Sequence, residues 1–179
     1  MEIAVLLNPG AGPRAGTRGE RLESRVRRLF SEAETEVRIA WAGGGELADA
    51  ARRAADAGAG SVVVGGGDGS VGAVAAALAG SDVALGILPL GTFNHFARDL
   101  GVPLALAPAV RTVAWGRARR VDLGQVNGRV FVNSSSLGLY PQALARRGEG
   151  RWRSGAIRFP ALLVAGGGSL ARYRLVKVR

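Results

Sequence analysis

The chain has 179 residues, of which 47% are hydrophobic and 28 are glycines, so we expect a folded domain with functional loops and exclude a disordered segment. It contains no cysteine, which excludes disulfides and thiolate metal sites and fits a reducing compartment. The net charge of +10 is concentrated in residues 111–179, which carry +12 against −2 for residues 1–110. This asymmetry favours an anionic partner, namely a membrane surface, a nucleic acid or a phosphorylated ligand, although a solvated arginine-rich face would look the same.

Four short apolar runs and the helical segments between them dominate the first part of the chain. The apolar runs predict buried strands at residues 2–7, 36–42, 61–65 and 83–90. Residue spacing predicts helices over residues 17–33 and 70–79, another helix that ends at Gly58, and a short one within residues 91–101. Strands that alternate with helices are typical of parallel βαβ units, whose strands are apolar because both sheet faces are covered. We therefore predict a doubly wound, mostly parallel α/β sheet up to about residue 115.

The sequence pattern changes after that point. Two segments rich in β-branched residues flank Asn127 and Gly128, a dipeptide that favours a type I′ hairpin turn. Residues 153–168 contain a candidate helix that Pro160 would limit or kink. Residues 172–179 alternate like a strand, and such a strand needs a pairing partner that no following segment supplies.

Three unusual glycine-containing loops follow predicted strands, at residues 8–16 (NPGAGPRAG), 65–70 (GGGDGS) and 89–94 (PLGTFN). Ligands of open α/β sheets bind beyond the carboxyl ends of the strands, and bare N–H groups at a helix N-terminus bind phosphate. We therefore expect all three loops to face one phosphate-bearing ligand. A Walker A motif is excluded because Lys177 is the only lysine. Residues 67–72 match GxGxxG by letter, but the Asp68 carboxylate would confront a pyrophosphate, which favours a role beside a metal or an attacking hydroxyl.

Other catalytic arrangements find little support in the sequence. His95 is the only histidine and the serines at 134–136 lack a GxSxG context, which disfavours a hydrolase triad, and no CxxC or HxxxH metal set exists. The aspartates also have structural interpretations. Asp68 could cap the helix that follows it, and Asp122 could form an ion pair with Arg119 or Arg120.

Four segments, in matching order and spacing, resemble the diacylglycerol kinase catalytic-domain family, which includes bacterial lipid kinases and sphingosine kinases and is related to NAD kinases. GGGDGS at 65–70 resembles the family's GGDGT signature, and LNPGAG at 7–12 resembles its N-terminal NPxSG loop. LPLGTFNHFARDLGVP at 88–103 is similar to its PLGTxNDFAR segment, and RRVDLGQVNGRVFVNSSSLGL at 119–139 is similar to a later VDLG stretch. The resemblance covers nearly the whole chain, and four matches in series are more specific than any one of them.

The resemblance implies ATP-dependent phosphorylation of a lipid hydroxyl, with Mg²⁺ as a cofactor whose ligands are not identified. Asp68 would lie beside the transferred phosphoryl group, and Asp122 would support the metal and water network. Departures from the family pattern are Ala11 and Ser70, where serine and threonine are usual, and His95, where many members carry Asp and which leaves a nucleotide or metal role there in doubt. The nucleotide contacts implied are Asn8, Pro9, Gly10, Gly12, Gly66, Gly67, Gly69, Ser70, Gly91, Thr92 and Asn94.

The resemblance also implies two domains. We place a nucleotide-binding α/β domain at residues 1–125, and the hairpin with the truncated start of a β-rich lipid-binding domain at residues 126–179, so this chain alone is expected to phosphorylate lipid poorly or not at all. We expect a cytoplasmic protein that meets an anionic membrane surface, at its inner face, through the basic residues 111–179. Its expected partner is a lipid substrate and not a nucleic acid, and homo-oligomerisation is left open. Two alternatives stay open: a non-catalytic nucleotide- or membrane-binding module, and an NAD kinase-like small-molecule kinase.

Overall fold

A computed structural model describes residues 2–10 and 17–133 of the protein. Its strands and helices alternate along the chain as the apolar pattern predicts. A short 3₁₀ turn at Gly44–Glu46 precedes the second helix. The elements are β1 (Ile3–Leu7), α1 (Thr17–Glu32), β2 (Val37–Trp41), α2 (Leu47–Asp56), β3 (Ser61–Gly66), α3 (Asp68–Leu78), β4 (Ala84–Pro89), α4 (His95–Asp99), α5 (Leu106–Trp115), β5 (Gly124–Val126) and β6 (Arg129–Phe131).

The first four strands form one sheet in the order β2-β1-β3-β4, and every pairing in it is parallel. This confirms the predicted doubly wound α/β class. The chain leaves β1 toward β2 on one side and later returns to place β3 and β4 on the other side. The loops that follow β1 and β3 therefore diverge, and the space between their carboxyl ends is where ligands of such sheets bind.

Alternate side chains of the central strands enter two separate apolar cores, one on each face of the sheet. Val5 and Val63 point to the face covered by α1 and α5, where they meet Phe30. Their neighbours in sequence point to the opposite face, where α2 and α3 contribute apolar residues such as Val74. Each such side chain that is fully removed from water contributes roughly 1.5–3 kcal/mol, so burial on both faces is what holds these short strands together.

Helix α5 is the one element of this sheet domain that we did not predict. Its cap residue, Ala105, makes no side-chain capping bond, so the usual start signal is missing from the sequence. The helix packs against β4 at Gly86, where an added Cβ would lie 3.1 Å from a methyl group of Val113. A side chain at Gly86 would hold α5 away from the sheet.

The predicted hairpin at Asn127 and Gly128 is present, with φ angles of 49° and 75° that suit a type I′ turn. Its strands β5 and β6 are antiparallel, and Val132 just after them packs against the core on the α3 side of the sheet. The predicted domain division at 125/126 stays a prediction. The helix within 153–168 and the strand at 172–179 lie outside the described residues. No helix in the ranges that are described is long and apolar enough to cross a membrane.

Candidate active site

A pocket of about 370 Å³ lies at the carboxyl edge of the sheet, where the ligand site was predicted. It crosses all four strands, because its walls come from the loops after β1, β2, β3 and β4. Five of the ten lining residues are glycines, so backbone forms a large part of the wall. The lining residues are Asn8, Gly10, Gly44, Leu47, Gly67, Gly69, Ser70, Leu90, Gly91 and Thr92.

Asn8 connects the loop after β1 to helix α3. Its side-chain Nδ2 donates a 2.7 Å hydrogen bond to the Oγ of Ser70, and its Oδ1 accepts a 2.8 Å bond from the N–H of Gly10. The N–H of Asn8 itself donates to the carbonyl of Gly65 at 2.9 Å, which continues the β1–β3 pairing past the end of the strand. The bonds to Ser70 and Gly65 fix the position of this loop relative to α3 and β3, and the bond from Gly10 holds the turn of the loop itself.

The loop after β3 turns directly into α3 at a bare glycine. Helix α3 begins at Asp68, two residues earlier than predicted, and its cap residue is Gly67, which has no side chain to bond the helix end. The carbonyl of Gly67 accepts from the N–H groups of Ser70 and Val71. The first N–H groups of α3 therefore point toward the pocket end of the helix, where the helix dipole favours an anion.

The interpretation of Asp68 as the cap of α3 is wrong, because Gly67 takes that place. The Asp68 Oδ1 instead accepts a 3.0 Å hydrogen bond from the N–H of Phe96, the second residue of α4. Asp68 is half-buried, and among the described residues its second oxygen accepts no hydrogen bond. Asp68 thus caps a helix that begins 27 residues later in the chain, while one carboxylate oxygen stays available.

The loop after β4 presses against the loop after β3 through two glycines. A Cβ on Gly91 would overlap the Cα of Gly67, so the two backbones can approach only while both residues lack side chains. Asn94 closes this loop: its φ is 52°, its Oδ1 accepts from the N–H of Gly91 at 3.0 Å, and its Nδ2 donates to the carbonyls of Gly91 and Pro89. Both polar groups of the buried Asn94 side chain are therefore used inside its own loop.

Seven of the eleven predicted nucleotide contacts line the pocket, and the others lie near it or outside the described residues. Gly66 lies beneath the pocket, where an added Cβ would come 2.5 Å from the Oγ of Ser70. Pro9 packs near Gly43 of the neighbouring loop. Asn94 is buried in its own loop, and Gly12 lies outside the described residues. That any of these residues contacts a nucleotide stays a prediction.

Asp122 is exposed and does not line the pocket. The structural alternative for this residue is also wrong, because neither predicted arginine partner contacts it. Arg120 forms a 3.0 Å ion pair with Asp82, and Arg119 donates to the carbonyl of Leu100 at 2.9 Å. The catalytic role of Asp122 stays a prediction, and the exposed position of its side chain away from the pocket lining does not explain such a role.

Three lining residues were missed in the sequence: Gly44, Leu47 and Leu90. A signal existed for Gly44, since residues 43–45 are three glycines at the carboxyl end of a predicted strand, as in the loops that we did single out. Leu90 lies in the loop at residues 89–94 that we singled out, although we did not name it as a contact. Leu47 has no comparable signal, because an apolar residue in a helix is ordinarily assigned to the core.

Within residues 2–10 and 17–133, no three acidic or histidine side chains come together in a way that could hold a metal ion. None of the pocket-lining residues carries a carboxylate, and the predicted catalytic Asp68 lies between Gly67 and Gly69, which both line the pocket. Mg²⁺ in phosphoryl-transfer sites is usually held by one or two carboxylates together with substrate phosphates and water. The residues present therefore fit an ion that enters with a nucleotide, and they do not form a dedicated protein cage.

The chain is similar to known proteins over this same region. Residues 2–126 match the model of the diacylglycerol kinase catalytic domain. A probable lipid kinase YegS-like of Serratia proteamaculans is 40% identical over 145 residues, covering 76% of this chain and 44% of the relative. Its namesake in Pseudomonas aeruginosa is 42% identical over 121 residues, covering 65% of this chain and 38% of the relative. The chain thus spans about two fifths of the length of these curated relatives.

A solved structure shares the fold. The crystal structure of a diacylglycerol kinase from Bacillus anthracis str. Sterne matches with a TM-score of 0.63 and 27% sequence identity, covering 74% of this chain and 46% of that one.

Proposed function

The chain belongs to the diacylglycerol kinase catalytic-domain family, a family of lipid kinases, and from that premise we propose that its pocket binds ATP and directs the γ-phosphate to a lipid hydroxyl. The observation that carries this proposal is the Asp68 carboxylate. It lies at the start of α3 beside a wall of glycine amides, and one of its oxygens is fixed while the other has no partner among the described residues.

The glycine wall supports phosphate binding. The N–H groups at the start of α3 and the backbone of Gly67 and Gly69 can approach phosphate oxygens because no side chain covers them, whereas the N–H of Gly91 is already bonded to Asn94. The Ser70 hydroxyl is held by Asn8 at 2.7 Å and adds a polar group to the same wall. Phosphoryl transfer needs mainly positioning and stabilisation of spread negative charge, and a rigid wall of amides supplies both.

In the proposed reaction the acceptor oxygen attacks the γ-phosphorus in line. A new oxygen–phosphorus bond forms, the bond from the γ-phosphorus to the bridging oxygen breaks, and ADP leaves. Asp68 orients the acceptor hydroxyl and accepts its proton through the oxygen that Phe96 does not hold. Mg²⁺ bound to the ATP phosphates would neutralise part of their charge.

The remaining parts of the hypothesis concern the whole protein. We propose a lipid substrate, a cytoplasmic location and a peripheral contact with an anionic membrane surface through residues 111–179, where the positive charge is concentrated. Activity is expected to require more than this chain, which spans about two fifths of its curated relatives.

Two substitutions at Asp68 test the proposal because they separate the hydrogen bond that Asp68 accepts from Phe96 from its proposed role as proton acceptor. Asp68→Asn keeps an oxygen that can accept from Phe96 but removes the charge, whereas Asp68→Ala removes both. In the full-length protein we expect both variants to lose lipid phosphorylation in a panel of lipid acceptors. Only Asp68→Ala should also lower the melting temperature, since it leaves the start of α4 uncapped.

ATP binding measured by calorimetry serves as the control for both variants. The proposal predicts that wild-type protein and Asp68→Asn bind ATP with similar affinity. Unchanged lipid turnover in Asp68→Asn, or the absence of ATP binding by the wild type, would overturn it.

A further inference from the structure

Phe93 follows the pocket-lining residue Thr92, and the structure of its loop holds its side chain outward. Its side chain is 63% exposed, although exposing a phenylalanine forgoes a large part of its burial energy. The interior of the turn is already filled by the Asn94 amide, which bonds to both the N–H and the carbonyl of Gly91. With Asn94 and Phe96 buried on the inner side, the Phe93 ring has only the outer side left.

The side chain of His95 stacks against the Phe93 ring. The rings of Phe93 and His95 stack with centroids 5.5 Å apart and an interplanar angle of 9°. Thr92, directly before Phe93, lines the pocket. The stacked aromatic pair therefore lies next to the pocket lining without belonging to it, beside a wall that is mostly backbone and polar groups.

The sheet order determines which end of the pocket this aromatic pair lies beside. The pocket extends from Gly44 and Leu47 beside β2 to Gly91 and Thr92 beside β4, and β2 and β4 are the two edges of the sheet. Strands lie about 4.8 Å apart, so these ends are separated by roughly 14 Å. A bound nucleotide and an acceptor can therefore occupy different ends.

Asp68 assigns the acceptor to the β4 end. Its carboxylate bonds to the N–H of Phe96, so it faces the start of α4, the helix that carries His95. If Asp68 orients the acceptor hydroxyl, that hydroxyl lies at the β4 end, and the nucleotide base lies toward Gly44 and Leu47. The exposed Phe93 ring lies on the loop at this end, directly after the lining residue Thr92, where the apolar body of the acceptor can contact it.

We infer that Phe93, supported by His95, contacts the acyl portion of the lipid acceptor and is a specificity-determining residue for it. This inference rests on the proposed function of the same pocket. The contact is with the acceptor and not with the nucleotide, which distinguishes it from a base-stacking role for the ring.

The test compares Phe93→Ser and Phe93→Leu in the full-length protein, with Leu104→Ser as the control. Leu104 is another exposed apolar residue (39%), and it lies outside both the pocket lining and residues 111–179, the proposed membrane contact. The KM for dioleoylglycerol in detergent micelles and the KM for ATP are measured separately. Phe93→Ser should raise the KM for the lipid about tenfold with little change in the KM for ATP, because the lost contact is apolar. Phe93→Leu should retain most of the lipid affinity, and Leu104→Ser should change neither constant.

Sedimentation with phosphatidylcholine vesicles, with or without dioleoylglycerol, provides a readout that needs no turnover. Wild-type protein should bind better to the vesicles that contain dioleoylglycerol, and Phe93→Ser should lose that difference. If the wild type shows the difference but phosphorylates no lipid, the proposed function fails while the lipid contact stands. The contact would be overturned if wild type and Phe93→Ser had the same KM for the lipid and the same vesicle binding. It would also be overturned if Phe93→Ser raised only the KM for ATP, or if dioleoylglycerol did not change the vesicle binding of the wild type.

Discussion

An alanine at Gly69 and an alanine at Gly91 should have opposite consequences, although both glycines line the same pocket. A Cβ at Gly69 would meet nothing within 4 Å. A Cβ at Gly91 would overlap the Cα of Gly67 and lie 2.8 Å from the Oδ1 of Asn94. The same added methyl group therefore tests ligand space at one position and the contact between two loops at the other.

The structure sets the size of each effect. Gly91→Ala forces two backbones apart, and overpacking of this kind costs about 1–3 kcal/mol. It also displaces the hydrogen bond from Gly91 to Asn94, which contributes about 1 kcal/mol more. For a domain of this size the sum lowers the melting temperature by about 10 °C. Gly69→Ala removes a glycine from the first turn of α3, which should stabilise the helix by up to about 1 kcal/mol.

Thermal unfolding and ATP titration of the two variants together check this reasoning. Gly69→Ala should melt at or above the wild-type temperature and yet bind ATP about tenfold more weakly, a difference of about 1.4 kcal/mol, because the methyl group blocks phosphate from the amide wall. Gly91→Ala should unfold earlier whether or not ATP is present. Wild-type ATP affinity in Gly69→Ala would refute phosphate binding at this wall, and a wild-type melting temperature in Gly91→Ala would refute the close contact of the loops.

Three further predictions concern the loop anchor, the acid response and the core. Asn8→Ala removes the bonds to Gly10 and to the Ser70 hydroxyl and should lower the free energy of unfolding by about 1–2 kcal/mol in denaturant titrations; no loss would show that the loop is held by other contacts. Hydrogen bonds, first from Trp41 and then from Arg27, lower the pKa of Glu23 in the folded protein. The ionised carboxylate therefore stabilises the fold at pH values above the pKa of Glu23 in the unfolded chain. This stabilisation is lost as the pH falls through the lower pKa of the folded protein. The fluorescence of Trp41 should report that titration, and the acid transition should disappear in Glu23→Gln; a midpoint at or above the usual glutamate value would contradict the cause given. Phe30→Ala empties a fully buried site and should cost about 3–5 kcal/mol of unfolding free energy, and a loss below about 1 kcal/mol would show that the core refills.

Local sequence signals were sufficient for the central sheet and for most of the pocket wall. Strands such as β1 and β3 are continuous apolar runs, because each is covered on both faces, and the glycines after them mark the carboxyl edge. The turn at Asn127 and Gly128 was also predictable, since few residues other than Asn and Gly accept two successive positive φ angles.

What could not be predicted depends on contacts between distant segments. Helix α5 has no capping side chain, and its position depends on the missing side chain of Gly86 on a neighbouring strand. Arg120 forms its ion pair with Asp82 and not with Asp122, which is much closer to it in sequence. The reason is that the fold brings the residues after α3 next to Arg120. Leu47 belongs to both the core and the pocket, a combination that no residue pattern in a single helix reveals.

The most consequential of these distant contacts is the bond from Phe96 to Asp68. The Asn8 bond to Ser70 joins the β1 loop to α3, the glycine contact between residues 67 and 91 joins the β3 and β4 loops, and Asp68 joins α3 to α4. The pocket is thereby one connected unit on the sheet edge and not three independent loops. A main-chain N–H fixes the carboxylate, so its geometry does not depend on the identity of the side chain at 96. A glutamate at 68 would add one methylene and move the oxygen from that N–H, which gives a physical reason for aspartate at this position that local helix capping does not supply.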